Sequence, residues 1–405
     1  MSEPITERDE LTPIIERYFD VEQLISGGGR YPFLKRYAGN LRIDSEEAYS
    51  AMSKELKSKG VTPLFFEEGG KQVIQLMPSL AKPRATNPWV NLLFFVVTVA
   101  SVLMAGALYS YEGAPPESTG ELIRLLSQNL DTGLSFAVSL LAILLAHEFG
   151  HYLVARHHKT AVTLPYFLPF PLSPFGTLGA FIQLKEPPRN KRILLDIGIA
   201  GPLAGLAVAI PVLLIGLSLS DISQIPSVLG PGDGISLEGN SLLYLLAKYA
   251  VHGGLLPAPE SYGGLSPAVY WLKYFFTSLP IPFGGTDVFL HPVAWAGWAG
   301  LLVTALNLIP AGQLDGGHII YGLLGDRARF VLPIVLVGLG LLGFVWSGWW
   351  LWVFLILMMG RSHAQPLDQI TKLDANRMAL AAFGLIVFVL VFTPMPLRVV
   401  VGGTP

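Results

Sequence analysis

The residues best suited to chemistry lie in the pentapeptide His147-Glu148-Phe149-Gly150-His151. On a helix, positions i and i+4 share one face, so the two imidazoles can reach one metal ion. Zinc accepts imidazole nitrogens, and the chain has no cysteine that would offer a thiolate instead. Glu148 points roughly 100° away from His147, where it is better placed to take a proton from an attacking water. The pattern therefore indicates zinc-dependent hydrolysis of a carbonyl compound.

A catalytic zinc site of this type needs a third protein ligand. Four residues interrupt a later apolar stretch at 291–318, namely Asn307, Pro310, Asp315 and His318. Pro310 and Gly312 should break the helix, as happens where backbone lines a polar cavity. We predict Asp315 as the carboxylate ligand. The alternative role for Asp315 is to cap a short helix that starts at Gly316.

Two other residues compete with Asp315 for the third position. Asp196 lies four residues after Arg192, so it should sit shallow and pair with a nearby lysine or arginine. His147 lies nine residues before Arg156, which places it about 13 Å deep on helical rise. His318 would lie one turn beyond Asp315, where it fits a role in supporting the ligands better than a role as a ligand.

The composition places these residues in a membrane protein. Hydrophobic residues make up 52% of the chain and charged residues only 14%, against about 25% charged in average soluble proteins. The net charge of −2 offers no basic face, so we expect no nucleic-acid partner. We predict seven membrane spans, at 88–109, 134–156, 194–219, 291–310, 330–346, 348–360 and 378–397. The sixth is short and could form a hairpin with the fifth.

Lysine and arginine in the short connections orient the chain. The 157–193 connection is basic, whereas the 110–133 connection is mostly acidic, so we predict a cytoplasmic N-terminus. The 220–290 region is then external, and its amphipathic stretches at 241–251 and 266–278 are expected on the membrane surface. The first 20 residues resemble neither a signal peptide nor a transit peptide, which favours a bacterial inner membrane.

The predicted fold is an all-α polytopic membrane protein with a small α+β soluble region at residues 1–85. That region should contain a helix from Ser45 to near Gly60, followed by a β-hairpin that turns at Gly69-Gly70. Residues 86–405 form the membrane-embedded domain, with a core at 134–325. Residues 161–186 are apolar but hold four prolines, so they should not form a regular helix.

The end of that segment, GTLGAFIQL, is typical of a strand. An unfolded substrate segment could pair with its free edge. The alternative is a plain cytoplasmic linker, because apolar loops also occur. The patch Gly201-Pro202-Leu203-Ala204-Gly205 has small residues at helical spacing and is interpreted as a helix-packing surface.

The two motifs HEFGH and NLIPAGQLDGG, in this order, resemble the site-2 proteases, which are intramembrane zinc metalloproteases. The resemblance covers about residues 134–325, and Gly39-Asn40-Leu41-Arg42 is similar to a signature of the cyanobacterial and plastid branch. It implies that 161–186 is a re-entrant β segment. It also implies cleavage of other proteins in or near their transmembrane segments.

The resemblance assigns a role to each residue of the two motifs. It implies one zinc ion per chain, held by His147, His151 and Asp315. Glu148 matches the general base, and Asn307 matches a catalytic position near the bound substrate. The expected partners are a transmembrane protein substrate and the lipid bilayer.

Two other functions use similar residues. A metal-ion transporter also places histidine and aspartate in membrane spans, but it does not need Glu148 beside a ligand, and the chain has no internal repeat of the transporter kind. An inactive protease-like scaffold would keep the fold without a working site, but every expected catalytic residue is present. The sequence therefore favours a protease.

Overall fold

A computed structural model describes residues 10–28, 31–79, 86–109, 111, 118–230, 232–359 and 365–402. The described chain is mostly helical. Within it, three helices are long and apolar enough to cross a membrane. The first nine residues, on which part of the localisation prediction depends, lie outside the described ranges. Arg361, a basic residue between the sixth and seventh predicted spans, also lies outside them.

The N-terminal region is an antiparallel sheet with a helix packed on one face. Its elements are α1 (Thr12–Glu16), β1 (Phe19–Gly28), β2 (Tyr31–Leu41), α2 (Ser45–Ser58), β3 (Val61–Glu68) and β4 (Lys71–Pro78). The strand order is β1-β2-β4-β3. The predicted helix and the hairpin at Gly69-Gly70 are confirmed, and both glycines have positive φ. Strands β1 and β2 were not predicted. Helix α2 begins at Ser45, and the Asp44 side chain caps it by accepting from the Glu46 amide.

The remaining helices form the apolar part of the chain. They are α3 (Pro88–Tyr109), α4 (Thr119–Gln128), α5 (Leu130–His157), α6 (Lys191–Ser218), α7 (Leu242–His252), α8 (Pro267–Thr277), α9 (Pro292–Asn307), α10 (Asp315–Leu324), α11 (Val331–Leu342), α12 (Gly348–Met359) and α13 (Ala375–Val391). A 3-10 turn, Gly325–Phe330, joins α10 to α11. The strands are β5 (Tyr166–Pro169), β6 (Thr177–Phe181), β7 (Asp221–Gln224), β8 (Gly234–Glu238), β9 (Thr286–Phe289) and β10 (Leu397–Val401).

A helix lies in each of the seven stretches predicted to span the membrane, but among the described residues only α3, α5 and α6 are both long and apolar enough to cross it. Helices α9, α11, α12 and α13 have 16, 12, 12 and 17 residues. Helices α11 and α12 share one buried cluster that includes Leu339 and Trp349, so they pack on each other. The three long helices are established by length and composition, whereas the count of seven spans remains a prediction.

Helices α5, α6 and α9 pack closely because small residues lie at their contacts. A Cβ added to Gly150 of α5 would lie 2.6 Å from the Ala200 carbonyl oxygen of α6. A Cβ added to Gly297 of α9 would lie 2.6 Å from Leu213 Cα of α6. Helix α6 thus contacts both the predicted zinc-binding helix and the helix before Asp315.

The segment at 161–186 folds as a two-stranded antiparallel ladder of β5 and β6, so the predicted strand is confirmed. Helix α3 holds this ladder through side chains. The Asn91 amide donates to the Leu164 and Pro165 carbonyls at 3.0 Å each, and the Ser101 hydroxyl donates to the Gly176 carbonyl at 2.5 Å. These bonds keep the β segment beside the helices.

The 220–290 region contains helices where the two amphipathic stretches were predicted, α7 and α8. It also contains strands that the sequence analysis missed. Strand β7 pairs with β9, and β8 pairs with β10 near the end of the chain. The Trp298 indole of α9 donates to the Gly239 carbonyl at 2.9 Å, and this hydrogen bond connects the 220–290 region to α9.

The N-terminal region docks on the ends of the membrane helices. The Phe65 amide donates to the Leu367 carbonyl and the Gln369 amide donates to the Phe65 carbonyl, both at 2.8 Å. The Asn190 amide, at the start of α6, donates to Glu46 at 3.0 Å. The two parts are therefore in direct contact through hydrogen bonds. The boundary between residues 1–85 and 86–405 remains a prediction.

A buried ionisable cluster stabilises the 220–290 region in a pH-dependent way. Burial raises the pKa of Glu238 to about 7, with Asp287 adding to the rise and Lys248 opposing it. The Tyr244 hydroxyl donates to Glu238 at 2.8 Å, and the Lys248 ammonium lies 4.0 Å from Glu238 and 3.9 Å from Asp287. The folded protein therefore binds this proton more tightly than the unfolded chain does.

Because the folded pKa is raised, the stabilisation is fully present below the ordinary value of 4.5 and is lost as pH rises to about 7. We expect Glu238→Gln to raise the unfolding temperature near pH 8 and to change it little near pH 4.5. Thermal unfolding in detergent measures both, with Glu260→Gln as an exposed control. Equal shifts at both pH values would contradict the expectation.

Candidate metal centre and active site

Helix α5 brings His147 and His151 together in the protein interior. The side chains are one turn apart on one face, and their residues are only 2% and 6% exposed. Their Nε2 atoms lie 3.2 Å from each other. Glu148 is also buried, at 4% exposure, and lines the same cavity. The three residues therefore line one cavity.

The break in the chain after α9 positions the Asp315 carboxylate. Helix α9 ends at Asn307, Gly312 has a φ of +56°, and α10 begins at Asp315. A Cβ on Gly316 would lie 2.0 Å from the Leu308 carbonyl oxygen, so the turn can close this tightly only with glycine there. The cap position of α10 is Leu314, hence Asp315 does not cap this helix.

The three candidate ligands form a nearly equilateral triangle. Asp315 Oδ2 lies 3.4 Å from His147 Nε2 and 3.3 Å from His151 Nε2, and the two nitrogens are 3.2 Å apart. A tetrahedral zinc site with bonds of about 2.0–2.1 Å has ligand atoms about 3.3 Å apart. In the described part of the chain, this is the only group of three such side chains close enough to hold a metal ion. The residues fit zinc.

The two competing candidates lie elsewhere. Asp196 accepts two hydrogen bonds from Arg377, at 2.8 and 2.6 Å, as expected for a shallow carboxylate. It also lies 2.9 Å from His158 Nε2. His318 lines the cavity, but the triangle consists of the other three side chains. The structure thus places Asp315 beside the histidines, and its role as ligand remains a prediction.

Asn307 lies at the edge of the same site. Its Nδ2 atom is 3.2 Å from His147 Nε2, and the residue lines the cavity. The sequence alone gave no distance between Asn307 and the histidines, because the two helices are separated by more than a hundred residues. The structure thus brings the Asn307 amide beside a candidate metal ligand, and its catalytic role remains a prediction.

The cavity has a volume of about 260 Å³ and one wall made by the β segment. The wall residues come from β6 and the stretch that follows it: Ala180, Phe181, Ile182 and Leu184. The Gln183 backbone amide donates to Thr163 Oγ1 at 3.0 Å, so this donor is already used by a hydrogen bond inside the β segment. The β segment therefore forms one side of the cavity that contains the candidate metal ligands.

The sequence analysis missed how α6 contacts the histidines. The small-residue patch at 201–205 was interpreted as a packing surface, but Gly201 and Gly205 lie directly against the His151 and His147 rings. The His151 Nδ1 atom lies 2.7 Å from the Ile197 carbonyl oxygen, also on α6. The signal was present, because positions 198, 201 and 205 are glycines on one helical face.

The comparisons with known proteins agree with the geometry. The chain is similar to "Probable zinc metalloprotease EGY1, chloroplastic" of Arabidopsis thaliana, 28% identical over 397 residues, covering 89% of this chain and 66% of that protein. It is 30% identical over 405 residues to the protein of the same name from Oryza sativa subsp. japonica, covering 89% and 62%. It is 31% identical over 272 residues to "Probable zinc metalloprotease EGY2, chloroplastic" of Arabidopsis thaliana, covering 66% and 43%.

The chain thus spans less than two thirds of the length of these curated relatives. No solved structure matches it significantly. The family model of peptidase family M50 matches residues 135–337, which contain both motifs and half of the chain. The chain therefore belongs to peptidase family M50, the site-2 protease family that its motifs resemble.

Proposed function

We propose that this chain is an intramembrane zinc metalloprotease that hydrolyses peptide bonds in or near the transmembrane segments of other proteins. The observation that carries the proposal is the triangle of His147, His151 and Asp315 with Glu148 beside it in one buried cavity. Membership of peptidase family M50 supports the reaction type. The names of the relatives, which are probable zinc metalloproteases, support zinc as the metal.

The chain's own side chains account for the steps of hydrolysis. When bound by the triangle, one zinc ion would polarise the scissile carbonyl and acidify the attacking water. The Glu148 carboxylate would accept a proton from that water and deliver it to the leaving amine. The Asn307 amide would donate a hydrogen bond to the carbonyl oxygen as negative charge develops there. Burial would exclude bulk water and strengthen these interactions.

The β segment supports an extended substrate. In the described chain, β6 pairs with β5 alone, and residues 180–182 form a wall of the cavity. A transmembrane helix must unwind before its peptide bonds can reach a catalytic group, and an extended strand can satisfy its backbone on a sheet edge. We propose that the unwound substrate pairs with the free edge of β6.

Strand pairing predicts a two-residue period in cross-linking. The native chain has no cysteine, so Ala180→Cys provides a single thiol at the cavity wall. With a cysteine scanned along a substrate, disulfides should form at every second position, because alternate side chains of a strand face one way. Leu172→Cys, exposed at 86% and outside the cavity wall, is the control. A helical period, or equal cross-linking to both thiols, would exclude strand pairing here.

We propose that the N-terminal region, at residues 1–85, lies on the cytoplasmic side and the 220–290 region on the opposite side. The distribution of lysine and arginine supports this orientation. The membrane domain, at 86–405 with its core at 134–325, would then cross the bilayer seven times. The bacterial inner membrane remains our predicted location, although the names of the relatives place those proteins in the chloroplast.

Orientation is testable by labelling single cysteines in intact cells. Val228 is 82% exposed in the 220–290 region, and Glu22 lies exposed on β1 in the N-terminal region. We expect a membrane-impermeant reagent to label Val228→Cys in intact cells and Glu22→Cys only after lysis. The reverse labelling pattern would show that the chain has the opposite orientation in the membrane.

The other two functions predict different outcomes in a cleavage assay. A transporter would move metal without cutting a co-expressed single-span protein, and an inactive scaffold would bind such a protein without producing fragments. Fragments that require Glu148 would support the protease. The cavity favours the protease, because Glu148 lies beside the candidate ligands without belonging to the triangle.

A further inference from the structure

Helix α6 presents a row of glycines to the histidines of the site. Gly198, Gly201 and Gly205 are spaced by three and four residues, so they lie on one face. A Cβ added at 198 would lie 2.8 Å from His318 Cβ, and one added at 205 would lie 3.1 Å from His147 Nδ1. The row therefore leaves space for three imidazoles beside one helix.

The tightest of these contacts is at Gly201. A Cβ there would lie 2.0 Å from His151 Nε2, 2.3 Å from Cδ2 and 2.5 Å from Cε1. Real Cβ atoms do not approach heavy atoms below 3.0 Å, so the ring would have to move. The nitrogen in question is the same Nε2 that lies 3.3 Å from Asp315 Oδ2. A methyl group at 201 would therefore displace a candidate ligand atom.

The same helix also fixes the other side of the His151 ring. The Ile197 carbonyl oxygen lies 2.7 Å from Nδ1 and can only accept, so Nδ1 carries a proton, and in the neutral ring that binds a metal the lone pair is then on Nε2. Ile197 and Gly201 are one helical turn apart. One turn of α6 thus sets both the tautomer of His151 and the position of its ring.

We propose that Gly201, with Gly205 as a weaker second contact, positions the imidazoles of His151 and His147 for metal binding. The proposal rests on the proposed function, since it assumes that these rings hold zinc. It goes beyond helix packing, because a packing glycine would affect stability without changing the geometry of a bound metal ion.

Gly216 provides a matched control on the same helix. A Cβ at 216 would lie 2.1 Å from the Ala294 amide nitrogen on α9, close to the 2.0 Å contact at 201, but its three nearest neighbours are backbone atoms of α9 and none belongs to a histidine. Gly300→Ala on α9 is a milder control, since its Cβ would meet Ile143 Cδ1 at 2.9 Å. Comparing Gly201→Ala with Gly216→Ala and Gly300→Ala therefore distinguishes a change in helix packing from a change in the geometry of the metal ligands.

Cobalt(II) binding to the purified chain in detergent tests the proposal. Gly201→Ala should weaken binding about 10- to 100-fold and alter the visible absorption bands, as expected when a ligand loses its orientation. Gly205→Ala should alter the bands with a smaller loss of affinity. The controls Gly216→Ala and Gly300→Ala should keep the native affinity and spectrum in their folded fraction, which circular dichroism measures.

A native spectrum and affinity in Gly201→Ala would overturn the proposal, as would equal losses in Gly300→Ala. If Gly201→Ala does not fold, Gly205→Ala decides the matter, and an unchanged spectrum there overturns the proposal. Failure of the unsubstituted chain to bind cobalt(II) or zinc would instead refute the proposed function. The two failures are therefore distinguishable.

Discussion

Replacing Glu148 with glutamine is expected to remove nearly all cleavage while leaving the metal in place. The amide has nearly the shape of the carboxylate but cannot take a proton from water at neutral pH. General base catalysis contributes typically 10²- to 10⁴-fold, so turnover should fall by about this factor. Glu148 is not one of the three side chains in the triangle, which is why zinc should remain bound.

The measurement is cleavage of a single-span protein by the purified chain, together with zinc content by elemental analysis. The matched control is Glu238→Gln, since Glu238 is also a buried glutamate but lies in the 220–290 region away from the cavity. That variant should cleave at the native rate. Native cleavage by Glu148→Gln would remove the general base from the mechanism, and loss of its zinc would make Glu148 a ligand.

The part of the site that could be predicted from the sequence is the part governed by local geometry. His147 and His151 face one way because helical periodicity places i and i+4 together, whatever surrounds the helix. The break after Asn307 follows from Pro310 and Gly312, since proline removes a backbone donor. Both features need only the identity of nearby residues.

What the sequence could not supply is the distance between separate elements. That Asp315 lies 3.3–3.4 Å from both imidazoles depends on the packing of α5, α6 and α9. The same holds for Gly201, which acts through a ring on another helix. Strands β7 to β10 were missed for a related reason, because four- and five-residue strands that pair across the chain carry little local signal.

The second large effect is expected at Asp315. Asp315→Ala should lose most of its zinc after purification, with affinity reduced by more than the roughly 10- to 100-fold typical of residues that only support a ligand. Its carboxylate is the only anionic member of the triangle, so it offsets part of the metal charge in a buried site. Asp315→Asn should retain part of the affinity, because it keeps an oxygen ligand without the charge.

His318→Ala and Asp196→Ala are the matched controls, because each removes a side chain that competes with Asp315 as the third ligand in the sequence analysis. Asp196 is held by Arg377 and His158, so its loss should lower stability and leave zinc bound. His318 lines the cavity beside Gly198, and its loss should leave the triangle intact. If Asp315→Ala kept full zinc, or if only His318→Ala lost it, a three-histidine site would replace the one proposed here, since three imidazoles also suit zinc.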